Sequence, residues 1–341
     1  MVYRIVLLAL CLLTSGSCKE VPIQCTQLEP ELNFELGFAR YELEGKSVEQ
    51  WREDLYAALL EALGYDEWTT KNTPVLVGQS LIDDIEVNEY DLVSDADGVI
   101  IPFSAFTPRR ALELGENHVV LVLHGHGETA AAVFDQDSQM NNVGGALLDR
   151  GYTVITIEMR SFGDFIIDGK GHQEYADGLE TGEFVGLVVG DSVQVAEAVV
   201  ELFAEEGVDS FTVLGHSFGG YAALHVGVFA PVTRAMSSSH FSPYGCMNTD
   251  FHDSCQDVLG AEDRFEIYDT VGLISPREVD IFYNTGDSFY TPAADEGFER
   301  VKAIYEKTGA PSAATFNVTP GLGHEVPLEA VLERMPPIED L

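Results

Sequence analysis

Residues 211–220, F-T-V-L-G-H-S-F-G-G, carry the clearest evidence for the fold. The run from Phe211 to Leu214 is typical of a strand buried in a sheet, and the residues after Gly220 continue as a helix to Phe229. Gly215 and Gly219 flank Ser217 at the turn between them. A hydroxyl on so sharp a turn needs strained backbone angles, and small flanking residues let the strand and helix pass closely. The stretch therefore predicts that Ser217 is a nucleophile above the sheet.

Strands and helices alternate on both sides of this turn. Further buried strands are predicted at 119–123, 152–159, 233–237, 279–284 and 314–318, with helices at 143–150, 193–203 and 298–307. Such alternation predicts an α/β fold with a right-handed, mostly parallel central sheet and helices on both faces.

The segment before this alternation has a different pattern. Three strand-like runs, Val75–Leu81, Ile85–Val93 and Val99–Phe106, are separated by short acidic turns and predict an antiparallel N-terminal edge of the sheet. Ser47 and Gln50 form a capping box for a helix over 47–63. We expect an N-terminal extension at 18–75 with one helix and a catalytic domain at 76–341, with an excursion at about 239–276.

Residues 1–17 have the pattern of a signal peptide. Arg4 precedes the apolar run Ile5–Leu13, and Ser15 and Ser17 fit the small-residue positions of a cleavage site. Cleavage there leaves Cys18 as the first residue, which resembles a bacterial lipoprotein signal. The sequence predicts export and leaves two outcomes open: a secreted or periplasmic protein, or an envelope protein anchored by lipid at Cys18.

The remaining cysteines suggest disulfides in an exported chain. Cys246 and Cys255 lie nine residues apart in a polar, acidic segment, which favours a local disulfide. Cys18 and Cys25 form a second candidate pair if Cys18 carries no lipid. The acidic residues at 250–257 match no metal-binding loop and are interpreted as a solvated loop.

Composition excludes several classes of protein. The 341 residues carry a formal net charge of −39 and a sequence pI of about 4.2. A surface this negative repels phosphate backbones, so nucleic acid is excluded as a partner. Apolar residues make up 45% of the chain, which excludes disorder for most of it.

H-G-H-G at 124–127 directly follows the buried run 119–123. The backbone N–H of His126 is expected to point into the site and to form an oxyanion hole with the N–H of Phe218. His124 and His126 at i, i+2 also have metal-ligand spacing, but the sequence shows no convincing third and fourth ligand. A metal site at these two residues is therefore disfavoured.

Two further polar residues follow buried strands. Asp287 comes after 279–284 and His324 after 314–318, at the strand ends where ligands gather in parallel sheets. The order Ser217, Asp287, His324 predicts a Ser-His-Asp triad. Asp295 and Asp280 are rival acids, disfavoured because one lies far beyond the strand and the other inside it.

These motifs together resemble the α/β-hydrolase superfamily over about residues 85–335, and within it the dienelactone-hydrolase and acetyl-xylan-esterase-like branch. The resemblance rests on 124–127, on Arg160-Ser161-Phe162-Gly163-Asp164, on 215–220 and on Gly323-His324-Glu325. It implies carboxylic-ester hydrolysis without a metal or organic cofactor. Acetyl xylan esterases typically have Arg-Gly-Gln-Gly at 160–163 and Gln at 218, so the acetyl-sugar substrate does not carry over.

Aromatic and histidine side chains near the strand ends are candidate walls of a substrate pocket: Phe162, Phe165, His240, Phe241 and Tyr244. A small-molecule ester is the predicted partner, and no obligate protein partner is implied. An exopeptidase or amidase of the same fold uses the same triad. A third alternative is an inactive binding protein on a hydrolase scaffold. It is disfavoured because it requires loss of a triad residue, and none is missing.

Overall fold

A computed structural model describes the chain at residues 37–38, 44–64, 72–115, 117–180, 182–204, 207–244, 255–256, 258, 261 and 264–338. The predicted signal peptide, Cys18, Cys25 and Cys246 lie outside these residues, so the lipid anchor and the disulfides stay predictions. Within these ranges, no helix has both the length and the apolar composition needed to cross a bilayer.

One sheet organises the described chain. Its strands are β1 (Val75–Ile82), β2 (Ile85–Val93), β3 (Ile100–Pro108), β4 (His118–Leu123), β5 (Thr153–Ile157), β6 (Ser210–His216), β7 (Arg234–Ser238), β8 (Glu278–Asn284) and β9 (Ala314–Thr319). Their spatial order is β1-β2-β3-β5-β4-β6-β7-β8-β9.

The sheet combines two kinds of pairing. From β5 through β4 and β6 to β9 all neighbours are parallel, whereas β1, β2 and β3 pair antiparallel, and β3 joins β5 antiparallel. The predicted parallel sheet with an antiparallel N-terminal edge is confirmed. Leu123 lies opposite Gly215, and Gly215 opposite Ser237. The carboxyl ends of β4, β6 and β7 therefore lie side by side, and the loops that follow them meet at one edge.

Helices connect each parallel strand from β4 onward to the next one along the chain. The helices of the described residues are α1 (Val48–Ala62), α2 (Arg109–Leu114), α3 (Val143–Leu148), α4 (His172–Ala176), α5 (Glu183–Leu202), α6 (Phe218–Phe229), α7 (Ile267–Ile274), α8 (Pro292–Lys307) and α9 (Leu328–Arg334). A short 3₁₀ helix spans Ala130–Phe134.

Side chains on the central strands alternate between two hydrophobic layers. On β4, Val119, Leu121 and Leu123 pack in the layer that contains α5, α6 and α8, while Val120 and Val122 pack with α3 and α9. Because both faces are covered, the central strands read as continuous apolar runs without a polar alternation.

The predicted N-terminal helix is present as α1, with the expected capping box between Ser47 and Gln50. Trp51, Leu55 and Leu59 are buried in the larger hydrophobic layer. The Arg52 guanidinium donates a hydrogen bond to the carbonyl of Leu273, with an N–O distance of 2.8 Å. The helix thus shares the core of the sheet, and the boundary predicted at residue 75 stays a prediction.

Two helices begin earlier than the sequence pattern predicts. α5 begins at Glu183 rather than at Val193, because its first half is buried on nearly all sides and has no apolar face to recognise. α8 begins at Pro292 rather than at Phe298, because the buried residues of its first turns, Ala294 and Gly297, are too small to give a strong periodic signal.

Candidate active site

Ser217 occupies the sharp turn between β6 and α6. Its backbone angles are φ 52° and ψ −123°, a strained conformation for a residue with a side chain. The Ser217 N–H donates a hydrogen bond to the carbonyl of Ser238 on β7, at 2.8 Å. The carboxyl end of β7 therefore helps to hold the turn in this conformation.

The glycines around Ser217 are required by close backbone contacts. A Cβ atom on Gly215 would lie 2.0 Å from the carbonyl oxygen of Gly219, and one on Gly219 would lie 2.3 Å from the carbonyl oxygens of Leu123 and His124. No side chain fits at such distances, so the G-x-S-x-G spacing follows from the packing of α6 against β4 and β6.

The structure brings Ser217, His324 and Asp287 together in one hydrogen-bonded row. His324 Nε2 lies 2.9 Å from Ser217 Oγ, and His324 Nδ1 lies 3.0 Å from Asp287 Oδ2. The carboxylate can only accept, so Nδ1–H donates to Asp287 and Nε2 accepts from the Ser217 hydroxyl. The Asp287 side chain is fully buried, while the His324 side chain is 22% exposed.

The two rival carboxylates are held elsewhere. Asp295 accepts a hydrogen bond from Tyr290 Oη at 3.0 Å. Asp280 is buried inside β8 and pairs with Arg334 Nε at 2.8 Å.

Asn284 positions the loop that carries His324, and the sequence pattern did not single it out. Its side-chain amide donates to the carbonyls of Gly323, at 2.8 Å, and Glu325, at 2.7 Å, the residues on either side of His324. A buried polar residue that ends an apolar strand is the sequence signal that could have identified it.

Phe289 is a second residue of the site that sequence reasoning missed. Its N–H donates to Asp287 Oδ1 at 2.9 Å. Its ring stacks on His324, with a centroid distance of 4.7 Å and an interplanar angle of 27°. One residue thus orients the carboxylate and covers one side of the imidazole.

The loop at 124–127 lies directly beside Ser217. A Cβ atom on Gly125 would come within 3.6 Å of Ser217 Cβ. Glu128 Oε2 accepts a hydrogen bond from the N–H of Gly125, at 3.2 Å. Phe218 is the first residue of α6, where backbone N–H groups have no partner within the helix. The loop and the helix start adjoin the serine, and their role as oxyanion donors stays a prediction.

His124 and His126 have different surroundings. His124 is fully buried: its Nε2 accepts from the N–H of Met159, at 3.1 Å, and its Nδ1–H donates to the carbonyl of Gly125, at 3.0 Å. The His126 ring instead faces His172 and Cys255, with Nε2 2.5 Å from His172 Nε2 and 3.8 Å from Cys255 Sγ. His124 and His126, which have metal-ligand spacing in the sequence, therefore contact different groups and do not face one common point.

The five predicted pocket residues are all buried: Phe162, Phe165, His240, Phe241 and Tyr244. The Phe162 ring lies 6.0 Å from the Phe218 ring and 5.8 Å from the His126 ring, on the side of the loop at 124–127. The N–H of Phe241 donates to Tyr283 Oη, and Tyr244 Oη donates to His225 Nε2. Contact with a substrate stays a prediction for all five.

Two buried histidines lie close to His324 and favour the neutral form. Desolvation, together with the nearby His324, lowers the pKa of His240 to about 3 and that of His216 well below its usual range. His216 packs against the His324 ring at a centroid distance of 4.8 Å. Neither neighbour adds positive charge beside the imidazole that contacts Ser217.

Arg160, in the motif after β5, forms a buried ion-pair network. Its guanidinium contacts both carboxylate oxygens of Asp191 at 2.8 Å and pairs with Asp97 at 2.5 Å. Asp97 lies in the turn between β2 and β3, and Asp191 lies on α5. The residue therefore joins the antiparallel edge to the helical layer, and its donors are used within the fold.

Comparisons with known proteins agree with this architecture. Similar solved structures include a protein assigned as an acetyl xylan esterase from Bacteroides fragilis, with a TM-score of 0.63 at 13% identity over 79% of this chain and 74% of the other. A glucuronoyl esterase from Solibacter usitatus has a TM-score of 0.60 at 15% identity over 84% of this chain and 93% of the other. An S-formylglutathione hydrolase from Agrobacterium tumefaciens has a TM-score of 0.51 at 17% identity over 75% of this chain and 95% of the other.

At these identities the structural likeness concerns the fold. No curated protein gives a significant sequence match. A family model described as "Alpha/beta hydrolase family" matches residues 119–337, more than half of the 341 residues. The match contains Ser217, Asp287 and His324. The predicted superfamily is confirmed, and the chain belongs to the alpha/beta hydrolase family.

Proposed function

We propose that the protein is a serine hydrolase that cleaves small-molecule carboxylic esters through an acyl-enzyme intermediate, with Ser217, His324 and Asp287 as its triad. The observation that carries the proposal is the hydrogen-bonded row at the carboxyl edge of the sheet. The distances of 2.9 Å and 3.0 Å on the two sides of the His324 ring are those of a nucleophile, a base and an orienting acid.

The geometry supports the following sequence of steps. Ser217 Oγ attacks the acyl carbon while His324 Nε2 takes its proton, and Asp287 stabilises the resulting imidazolium. The imidazolium then protonates the leaving alcohol. Water then attacks the acyl-enzyme while His324 takes its proton, which releases the carboxylic acid and regenerates Ser217.

The N–H groups of His126 and Phe218 are proposed to bind the oxyanion of each tetrahedral intermediate. Loss of one such donor typically lowers kcat by about 10²–10³. The position of Phe218 at the start of α6 supports this role, because helix N-termini favour negative charge. The proposed donor is the backbone N–H of residue 218. Phe218 has this group just as glutamine would, so the difference in side chain does not remove it.

The names of similar structures favour an ester over an amide as the substrate, since two of the three reported are esterases. The Phe162 and Phe218 rings, which pack near the loop at 124–127, are proposed to wall the substrate side of the site. The other proposed pocket residues are Phe165, His240, Phe241 and Tyr244, all of which are buried.

Labelling with a fluorophosphonate probe tests the nucleophile. The probe should attach to Ser217, and Ser217→Ala should lose both the label and nitrophenyl-ester turnover while its circular dichroism is unchanged. Ser192→Ala is the matched control, because the Ser192 hydroxyl is buried and bonds back to the carbonyl of Val188 within α5. A folded Ser217→Ala that keeps its turnover would refute the proposal. A parallel panel of aminoacyl anilides distinguishes a peptidase from an esterase.

The export of the chain is proposed from the sequence of residues 1–17. Mass spectrometry of the mature N-terminus tests it: a chain that begins at Cys18 with an added lipid mass indicates an anchored protein, and an unmodified Cys18 a secreted one.

A further inference from the structure

His126, His172 and Cys255 form a cluster whose side chains the proposed mechanism does not use. His126 belongs to the loop after β4, His172 begins α4, and Cys255 lies in the excursion between β7 and β8. The ligand atoms of the three side chains all lie within 4.8 Å of one another. Three distant parts of the chain therefore present two imidazoles and a thiol to one point.

The spacing of these atoms is close to that of a zinc site. Tetrahedral zinc binds imidazole nitrogen at about 2.0–2.1 Å and thiolate sulfur at about 2.3 Å, which places neighbouring nitrogens about 3.3 Å apart and nitrogen and sulfur about 3.6 Å apart. Cys255 Sγ lies 3.8 Å from His126 Nε2. The two Nε2 atoms are 2.5 Å apart, so they need to separate by less than about 1 Å.

The packing and the charge around the cluster also suit a cation. Phe162 stacks flat on His172, with a centroid distance of 4.3 Å and an interplanar angle of 4°, and holds the ring in place. A net charge of −39 raises the local concentration of cations around the protein.

We propose that His126, His172 and Cys255 bind one Zn²⁺ ion, with solvent as the fourth ligand. Cys255 is fully buried and the two imidazoles are half-buried, so the open position faces the imidazole side. The ion ties the loop beside Ser217 to α4 and to the excursion. Its role is to hold this loop, and no step of the ester chemistry passes through it.

Zinc ligation and the disulfide predicted between Cys246 and Cys255 exclude each other, because the metal ligand is a thiolate. The two alternatives are therefore distinguished by whether Cys255 Sγ is a thiolate or part of a disulfide.

Metal analysis of the full-length protein tests the proposal. After purification in zinc-containing buffer and dialysis, we expect one zinc per chain. Cobalt substitution should give a thiolate-to-metal charge-transfer band. His172→Ala and Cys255→Ser should each weaken zinc binding by at least about 100-fold, because even the loss of a residue that only supports a ligand costs about 10–100-fold. The band should disappear in Cys255→Ser. His118→Ala, a histidine at the opposite end of β4, should bind zinc as the wild type does.

Controls separate this proposal from the hydrolase proposal and from misfolding. Ser217→Ala should keep one zinc per chain whether or not the protein is an esterase. His172→Gln provides a second variant of similar shape if His172→Ala does not fold. The proposal is overturned if folded wild-type protein retains no zinc, if its affinity equals that of the His172 variants, or if peptide mapping of unreduced protein finds Cys255 in a disulfide.

Discussion

Replacement of Asp287 by asparagine should disable the base without disturbing the site's shape. In the wild type, Asp287 Oδ1 accepts from the N–H of Phe289 at 2.9 Å, and Oδ2 accepts from His324 Nδ1–H at 3.0 Å. An asparagine has one oxygen for these two donors. The backbone N–H of Phe289 cannot change, so the oxygen faces Phe289 and the amide NH₂ faces His324.

This arrangement changes the tautomer of the His324 imidazole. His324 Nδ1 must then accept from the amide, and the proton moves to Nε2. Nε2 lies 2.9 Å from Ser217 Oγ and would donate to it instead of accepting its proton. A wrong tautomer of this kind lowers kcat by about 10⁴, which corresponds to about 5 kcal/mol of transition-state stabilisation.

Steady-state hydrolysis of a nitrophenyl ester at neutral pH measures the effect. We expect kcat for Asp287→Asn to fall by about 10⁴ with little change in KM. Asp295→Asn is the control, because Asp295 contacts Tyr290 Oη and should alter kcat by less than about twofold. An Asp287→Asn enzyme that retains a tenth or more of wild-type kcat would refute the tautomer argument, and a large loss in Asp295→Asn would move the acid to that residue.

Three further changes have outcomes worked from the structure. Asn284→Ala removes both amide hydrogen bonds to the His324 loop, so kcat should fall by about 10–10² while KM changes little, and Asn317→Ala on β9 should leave the same assay unchanged. Arg160→Met leaves the buried carboxylate of Asp191 without its cationic partner and should reduce the free energy of unfolding in urea by about 3–5 kcal/mol. Desolvation raises the pKa of Asp191, so that loss should shrink as the pH is lowered and the carboxylate is protonated; a loss independent of pH would argue against this cause. Desolvation lowers the pKa of His225 to about 4, from a value near 6.5 in the unfolded chain. The neutral imidazole therefore contributes its full stabilisation of the folded state above pH 6.5, and about 3 kcal/mol of it is lost as the pH falls towards 4. His225→Gln should reduce this pH dependence of the unfolding free energy measured in urea.

The sheet was predictable because its evidence is local. Each central strand is buried on both faces and appears as a short apolar run, and the turn at Ser217 needs glycines on both sides for steric reasons. α5 was predicted only in its second half, since a helix buried on all sides has no amphipathic period.

The site was predictable where its residues follow strand ends. Ser217, Asp287 and His324 each lie just beyond a parallel strand, so chain order and strand position were enough to propose that they meet. Asn284 and Phe289 carry no comparable motif. Their parts in the site depend on hydrogen bonds and ring contacts that form only when β8 and the His324 loop lie together.

The family, the tight turn at Ser217 and the order of the three polar residues could be predicted from the residue types along the chain, because short-range sterics and burial restrict which residues can occur there. The partner that each histidine contacts became known only from the folded chain. His124 accepts a hydrogen bond from Met159, just beyond β5, whereas His126 turns towards His172 and Cys255, residues 46 and 129 positions away. Contacts of such separation depend on how the sheet and its loops assemble, and no local pattern of the chain encodes them.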